Sequence, residues 1–356
     1  MMSRLLIFLL ILLVIVLLEA YAFQAVKIVT KSKYIRYLWL ALGALGYTYF
    51  LYTIYTYDRS SGQTRQSQWA FGILLLVLLP KLILLVFMFG EDLVRWSRKL
   101  IALLTSENTP IASRRKFVSQ IALGLASIPF MSILYGVFRG KYNYKVLKYQ
   151  LQFDDLPEAF DGFTITQITD IHSGSFDNPE KINYGVDLIN AQQSDVILFT
   201  GDIVNNFAIE MDDWISVFAN LKAPFGKFSI LGNHDYGDYT KWETEADKAA
   251  NFEAIKNIHP KIGFDLLLNE NRFIEKNGEK IALIGVENWG KGFNQAGDLD
   301  KAKVGVVKDD FKILMSHDPS HWEYKVKKDD FNYQLTLSGH THGLQFGIEI
   351  PGFFRW

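Results

Sequence analysis

The stretch Phe163-Thr-Ile-Thr-Gln-Ile-Thr-Asp-Ile-His172 decides the fold of this chain. It is typical of a short β-strand over residues 164–169 that leads into Asp170 and His172. A carboxylate and an imidazole fixed at the end of a rigid strand are suited to holding a metal ion. The same form, an apolar strand followed by ligand-type side chains, recurs at residues 196–202, 228–235, 312–317 and 334–342. The recurrence predicts an α/β domain whose strand ends gather around one site.

The composition excludes several classes of function. A net charge of -1 over 356 residues disfavours a general nucleic-acid binder, which needs a basic surface. The absence of cysteine excludes disulfides, thiolate metal sites and cysteine nucleophiles. We therefore expect no nucleic-acid partner, and any metal site must be built from oxygen and imidazole donors.

The first third of the chain has the composition of a membrane region. Four apolar segments, at residues 5–25, 37–57, 69–90 and 117–138, approach the roughly 20 residues that cross a bilayer. The first lacks the short apolar core and small-residue cleavage site of a signal peptide, which favours a retained span. Lys81, inside the third, is either packed in a helix kinked at Pro80 or functional. We predict a transmembrane helical region of about four spans over residues 1–140 and a second domain over 141–356.

The distribution of positive charge predicts the orientation of these spans. Residues 27–36 hold three lysines and one arginine, and residues 95–116 hold six lysines and arginines. Residues 58–65, by contrast, hold two arginines. The first two loops should be cytoplasmic, so the expected location is the cell membrane, multi-pass, with the second domain extracytoplasmic. Ser113-Arg-Arg-Lys-Phe-Val118 is either an internal twin-arginine export signal or a basic cluster at the inner end of span four.

The second domain alternates strand and helix patterns and then changes to a hairpin. A leading strand over 146–153 is expected, and Asn277-Gly278 indicates a type I′ turn inside the hairpin 272–287. Predicted helices cover 179–192, 211–221, 242–258 and 319–328, and predicted core strands cover 164–169, 196–200, 228–231, 312–315 and 334–337. This order predicts mixed sheets with helices outside them.

The candidate ligands share one chemistry, because all are oxygen or imidazole donors. They are Asp170, His172, Asp202, Asn233, His317, His340 and His342. Such donors suit manganese, iron or zinc rather than copper(I). Two metals need a shared carboxylate, and Asp202 is the best bridge because it follows a buried strand in the middle of the set. Each motif alone is typical of an ordinary turn, so the prediction of a metal site rests on their combination. The other two histidines, His259 and His321, are interpreted as structural, although His321 could line the cleft.

The combined motifs resemble those of the calcineurin-like metallophosphoesterases. The resemblance covers residues 145–350 and is strongest for the membrane-anchored bacterial branch, which includes enzymes similar to the lipid-A-pathway pyrophosphatases that cleave UDP-diacylglucosamine. It implies two mixed β-sheets packed face to face with flanking helices. It also implies two divalent metal ions: one is held by Asp170, His172, Asp202 and His342, and the other by Asp202, Asn233, His317 and His340.

The resemblance also implies a hydrolytic mechanism on a phosphoester or pyrophosphate. A metal-bridging hydroxide attacks phosphorus, His234 stabilises the transition state or protonates the leaving oxygen, and Asp235 orients His234. In the family, further strands usually follow the last histidine motif, whereas this sequence ends at Trp356. The expectation is therefore a domain that is either truncated at its C-terminal end or closed in another way.

Several alternatives remain open at this stage. The domain could be a tethered general phosphodiesterase or nucleotide hydrolase, or an inactive binding protein with a phosphoesterase fold. A transporter is disfavoured because Lys81 has no evident paired charge within the spans. Substrate, metal identity and oligomeric state are not encoded in a readable form. A lipid-linked substrate and contact with membrane lipids are suggested by the anchor.

Overall fold

A computed structural model of the chain describes residues 4–105, 114–342, 349–350 and 354–355. The chain divides into two compact units: one comprises Met1–Tyr57 and Thr64–Tyr144, and the other comprises Asp58–Gln63 and Lys145–Trp356. Each is described on its own below.

The first unit consists of four long helices. They are α1 (Arg4–Val29), α2 (Lys33–Thr56), α3 (Arg65–Thr105) and α4 (Arg115–Phe138). By length and composition all four are able to cross a membrane. Three of the predicted apolar segments each lie within one of these helices, and the second, 37–57, ends one residue beyond α2. The motif at 113–118 begins outside the described residues, and its last four residues form the first turn of α4.

Lys81 is not a lone charge, and the expectation that it lacks a partner within the spans is wrong. Its Nζ lies 2.5 Å from Oε2 of Glu19 on α1, whose Oε1 accepts a 2.8 Å hydrogen bond from Nε1 of Trp39 on α2. Gly43 makes room for the pair, because a Cβ there would lie 2.9 Å from both charged atoms. The pair could not be recognised from the sequence, because Glu19 and Lys81 are more than sixty residues apart. Pairing lowers the cost of placing two charges among apolar helices.

The first sheet of the second unit is parallel throughout its described strands. Its order is β1 (Ile165–Ile168), β2 (Val196–Phe199), β3 (Lys227–Ser229) and β4 (Asp265–Leu266). The connections contain α5 (Pro179–Asn190), the short α6 (Ile215–Phe218) and α7 (Glu245–Lys261). All four residues of β2 are buried, as expected for a central parallel strand covered on both faces.

The second sheet is mixed and has the order β5 (Glu270–Lys276), β6 (Glu279–Gly285), β7 (Lys312–Met315) and β8 (Leu335–Leu337). The β5–β6 pair is the predicted hairpin, and Asn277 and Gly278 have φ of 52° and 86°, as a type I′ turn requires. Two short helices, α8 (Leu299–Ala302) and α9 (Ser320–Tyr324), lie in its connections. A separate antiparallel pair joins β9 (Glu349–Ile350) to β10 (Phe354–Arg355).

The two sheets pack face to face around one apolar core. The core contains Leu198 of β2 and Ile230, which directly follows β3, on the side of the first sheet. It contains Leu283 and Met315 on the side of the second sheet, and all four side chains are fully buried. Each such side chain contributes roughly 1.5–3 kcal/mol when it leaves water. The predicted fold class, an N-terminal helical region followed by an α/β domain with two packed sheets, is confirmed.

Some predicted elements do not form. Residues 146–153 form no strand, and Leu147 and Tyr149 are exposed, because their alternating pattern has no neighbouring strand with which to pair. The predicted helix over 211–221 is reduced to a 3-10 turn, Ala208–Met211, and to α6. Similarly, 319–328 is split into α9 and a 3-10 turn, Val326–Lys328. Conversely, β4 was not predicted, because it is only two residues long and too short for a recognisable sequence pattern.

Candidate metal centre

The seven predicted ligands follow five strands. Asp170 and His172 follow β1, Asp202 follows β2, Asn233 follows β3, His317 follows β7, and His340 and His342 follow β8. The carboxyl ends of parallel strands meet at the same edge of a sheet, which is the usual position for a site in such folds. The structure brings all seven side chains into one cluster, through the contacts described next.

The first group of side chains consists of Asp170, His172, Asp202 and His342. One ligand atom from each lies within 4.8 Å of the others. The Nε2 atom of His172 is 3.1 Å from Nε2 of His342 and 3.5 Å from Oδ2 of Asp202. Four donors converging on one point match the set expected for the first metal.

The second group is formed by Asn233, His317 and His340 beside the same aspartate. The Oδ1 atom of Asn233 lies 3.0 Å from Nε2 of His317 and 2.8 Å from Nδ1 of His340. The Nε2 atom of His317 is also 3.1 Å from Oδ2 of Asp202. These contacts bring together the set expected for the second metal.

Asp202 connects the two groups. Its Oδ1 accepts a hydrogen bond of 2.8 Å from the backbone N–H of His234, whereas its buried Oδ2 has no hydrogen-bond partner among the described residues. That unpartnered oxygen faces His172 on one side and His317 on the other. A buried carboxylate oxygen without a hydrogen-bond donor is costly unless a cation neutralises it. The donor set therefore fits divalent metal ions, and Oδ2 would be one of the atoms that hold them.

The backbone at the site adopts a conformation that L-residues rarely use. Five predicted ligands have positive φ: Asp170 at 51°, His172 at 46°, Asp202 at 61°, His340 at 68° and His342 at 50°. Non-glycine residues in this left-handed region cost free energy, and they cluster at functional sites where the surrounding structure holds them. The strain supports a functional reason for the placement of these side chains.

A close approach between two strand-end loops requires a glycine at residue 232, directly before Asn233. A Cβ on Gly232 would lie 2.2 Å from Oδ1 of Asp202 and 2.6 Å from its backbone nitrogen. Any side chain at residue 232 would therefore displace Asp202.

The electrostatics of the cluster differ between its two sides. Burial lowers the pKa of His172 to about 4, so the imidazole is neutral near pH 7 and its nitrogen is available to a metal. Burial also disfavours the charged form of His317, but the adjacent Asp202 carboxylate outweighs it and raises the pKa to about 9. Without metal, a protonated His317 would therefore be the cation that neutralises Oδ2 of Asp202, 3.1 Å away. Metal binding would have to displace the proton on His317.

His234 lies at the edge of the cluster. Its ring makes an edge-to-face contact with His172, with 4.7 Å between centroids, and stacks on Tyr239 at 4.3 Å. Its Nδ1 lies 2.8 Å from the backbone carbonyl of Asn205, so Nδ1–H donates to that oxygen. The Nε2 atom is then the nitrogen left for a substrate.

The predicted contact between Asp235 and His234 is wrong. The buried Asp235 carboxylate accepts from the backbone N–H groups of Gly232, Asp202 and Ile203, at 2.8, 3.0 and 2.9 Å. Residues 234–236 form a 3-10 turn, in which successive side chains point about 120° apart. Asp235 therefore positions the loop that carries Asp202, and the Asn205 carbonyl takes the place next to His234.

Sequence reasoning missed three supporting residues. Glu210 accepts from the backbone N–H groups of residues 205–207 and so holds the loop that contacts His234. Oδ2 of Asp318 lies 3.7 Å from Nε2 of His340, and the Tyr239 hydroxyl accepts from Nδ2 of Asn233 at 2.7 Å. Asp318 had a local signal in the sequence, because it directly follows the ligand His317.

The two remaining histidines have the predicted structural contacts. His259 is fully buried, and its Nδ1 lies 2.8 Å from the Ser229 hydroxyl. His321 is also buried, contacts Ser316 at 2.8 Å and stacks on Trp289.

Comparison with known proteins agrees with this site and fold. Residues 163–344 match the family model of the calcineurin-like phosphoesterase, and residues 3–141 match that of the probable calcineurin-like phosphoesterase, transmembrane domain. The chain therefore belongs to the calcineurin-like phosphoesterase family, whose members use divalent metals, and it carries that family's four-helix transmembrane domain.

The relatives of the chain include uncharacterized metallophosphoesterases and transmembrane proteins with a metallophosphoesterase domain. An uncharacterized metallophosphoesterase of Bacillus subtilis, YkuE, is 31% identical over 200 residues, which cover 55% of this chain and 63% of the relative. A transmembrane protein with metallophosphoesterase domain from Danio rerio is 26% identical over 76% of this chain and 60% of the relative. The chain thus spans about three-fifths of the length of these curated relatives.

Proposed function

We propose that this chain is a membrane-anchored, binuclear metal-dependent phosphoesterase. The observation that carries the proposal is Oδ2 of Asp202, a buried oxygen without a hydrogen-bond donor that lies within 3.5 Å of His172 and 3.1 Å of His317. One carboxylate oxygen between two imidazole groups is the arrangement that a pair of cations requires. Manganese, iron and zinc all suit the donors.

We assign the other steps of the proposed reaction to side chains around the metal positions. Two bound cations would supply charge that polarises the phosphoryl group and activates water. His234, with Nδ1–H fixed on the Asn205 carbonyl, would act as an imidazolium that gives its Nε2 proton to the leaving oxygen and becomes a neutral ring with hydrogen on Nδ1. Tyr239 and His172 limit the movement of the His234 ring. Asp235 holds the loop of the bridging ligand.

The proposed substrate is a phosphoester or pyrophosphate at the outer membrane surface, such as a lipid-linked molecule of the UDP-diacylglucosamine type. The four spans support this proposal, because they keep the domain near lipid. A general phosphodiester is the alternative. A panel of phosphomonoesters, diesters and lipid pyrophosphates, assayed with detergent-purified full chain, separates them. Preference for the lipid pyrophosphate by kcat/KM supports the first, and preference for soluble diesters overturns it.

Two variants test the proposed roles. Asp202→Ala should lose metal, and His234→Ala should retain it while kcat falls by roughly 10²–10⁴-fold, the usual contribution of a general acid. Metal analysis and a phosphodiester assay give the two readouts. Asp212→Ala, an exposed aspartate ten residues after Asp202, is the matched control and should behave as wild type. An active His234→Ala variant contradicts the acid role, and metal-loaded wild type without hydrolysis of any panel member favours the binding-protein alternative.

The proposed extracytoplasmic orientation rests on the lysine and arginine distribution. The absence of cysteine makes it directly testable, because any introduced thiol is unique. In intact cells, a membrane-impermeant maleimide should label Asp212→Cys and spare Lys31→Cys until the cells are lysed. The reverse labelling pattern would place the domain in the cytoplasm.

A further inference from the structure

Tyr239 connects two parts of the metal centre. It follows the ligand Asn233 by six residues and contacts both that side chain and His234. We propose that Tyr239 is a positioning residue, whose hydroxyl fixes the Asn233 amide so that its oxygen faces the second metal position. This inference rests on the proposed binuclear function.

Asn233 has a problem that its neighbouring ligands do not share. One end of its amide is an oxygen that can bind a cation, and the other is an NH₂ group that cannot. The two ends have nearly the same shape, so the cluster itself cannot select between them by packing. An acceptor for the NH₂ group helps to hold the amide with its oxygen toward the cluster.

The Tyr239 hydroxyl is that acceptor. It lies 2.7 Å from Nδ2 of Asn233, while Oδ1 lies 3.0 Å from Nε2 of His317 and 2.8 Å from Nδ1 of His340. Asn233 is buried, so its NH₂ group needs a hydrogen-bond partner, which the Tyr239 hydroxyl supplies. With cations bound to the imidazole nitrogens, a flipped amide would direct its N–H groups at those cations, so the hydrogen bond stabilises the orientation that can bind metal.

The ring of Tyr239 has a separate role from its hydroxyl. It stacks on the imidazole of His234, with 4.3 Å between centroids and 26° between planes. A phenylalanine at this position retains the stacking and loses the acceptor. The two roles can therefore be separated by Tyr239→Phe and Tyr239→Ala.

The test is a titration of full-length, detergent-solubilised, metal-free protein with MnCl₂. Removal of a hydrogen-bond partner behind a metal ligand typically weakens metal affinity by about 10–100-fold. Tyr239→Phe should show that loss at one of two sites, and excess Mn²⁺ should restore kcat, because His234 still stacks. Tyr239→Ala should remain slow even at saturating Mn²⁺. Tyr324→Phe, which removes a hydroxyl that contacts Lys291, is the matched control and should titrate as wild type.

Replacement of the amide sharpens the test. In Asn233→Asp both ends of the side chain are oxygens, so the orientation no longer matters, and adding Tyr239→Phe should weaken Mn²⁺ binding less than it does beside asparagine. An equal loss in both backgrounds, or unchanged affinity in Tyr239→Phe, overturns the inference. Wild-type protein that binds none of Mn²⁺, Fe²⁺ and Zn²⁺ instead refutes the proposed function.

Discussion

The role of the buried Asp235 carboxylate gives the most specific prediction. Asp235→Asn keeps the shape of the side chain but turns one acceptor oxygen into a donor. Oδ2 accepts from Gly232 and Asp202, and Oδ1 accepts from Ile203 at 2.9 Å and Val204 at 3.4 Å. The amide should keep its oxygen on the first pair, which leaves the N–H of Ile203 facing an NH₂ group.

The size of the effect follows from these bonds. A hydrogen bond to a charged group contributes about 1.5–3 kcal/mol, and the two bonds that remain go to a neutral acceptor and weaken. Burial and the neighbouring Asp202 carboxylate raise the pKa of Asp235 to about 7, which shows that the negative charge is unfavourable at this position. Removing that charge therefore offsets part of the free energy lost with the hydrogen bonds. Since the loop carries the bridging ligand, metal affinity should fall about 10–100-fold, which corresponds to about 1.4–2.8 kcal/mol.

The assay is a metal titration of Asp235→Asn and wild type in the same detergent. Asp238→Asn is the control, because that aspartate is exposed and pairs with Lys248 at the surface. It should bind metal as wild type does. If Asp235→Asn binds both ions normally but loses activity, its carboxylate acts on His234 instead, and the assignment from the hydrogen bonds is refuted.

Two further predictions concern packing and pH. Gly232→Ala should abolish metal binding, because its Cβ would displace Asp202. Gly72→Ala is the control and should bind metal normally, because there is open space around that glycine. Retained metal binding in Gly232→Ala would contradict the close approach of the two loops. Burial lowers the pKa of His259 to about 3 from 6.5, so its contribution to stability is present above pH 6.5 and is lost as the pH falls toward 3. His259→Phe should therefore lose less thermal stability than wild type between pH 6.5 and 4.5, and equal losses would show that His259 is not responsible.

The positions of the ligands were predictable because their signals are local. An apolar run such as residues 196–199 specifies a buried strand, and the residues directly after it must lie at the sheet edge. The hairpin was equally local, since Asn277 and Gly278 favour the positive φ that the turn needs. Burial of the same apolar runs on facing sheets then gives the observed core.

Three of the missed features depend on contacts between residues that are far apart in the sequence. Asp235 stands next to His234 in sequence, which suggested a pair, but the turn directs its carboxylate to backbone groups thirty residues earlier. The pairing of Lys81 with Glu19 requires knowledge of helix packing, which periodicity does not provide. Residues 146–153 had a strand pattern without a strand beside it. Local pattern therefore determined where polar groups lie, and tertiary contacts determined what they touch.

The central claim is that Asp202 bridges two cations. The most direct measurement is anomalous X-ray diffraction from crystals of the full chain soaked in MnCl₂. Two peaks about 3.5–4 Å apart are expected, one on each side of Oδ2 of Asp202, with one near His172 and the other near His317. A single peak, or two peaks away from that oxygen, would contradict it.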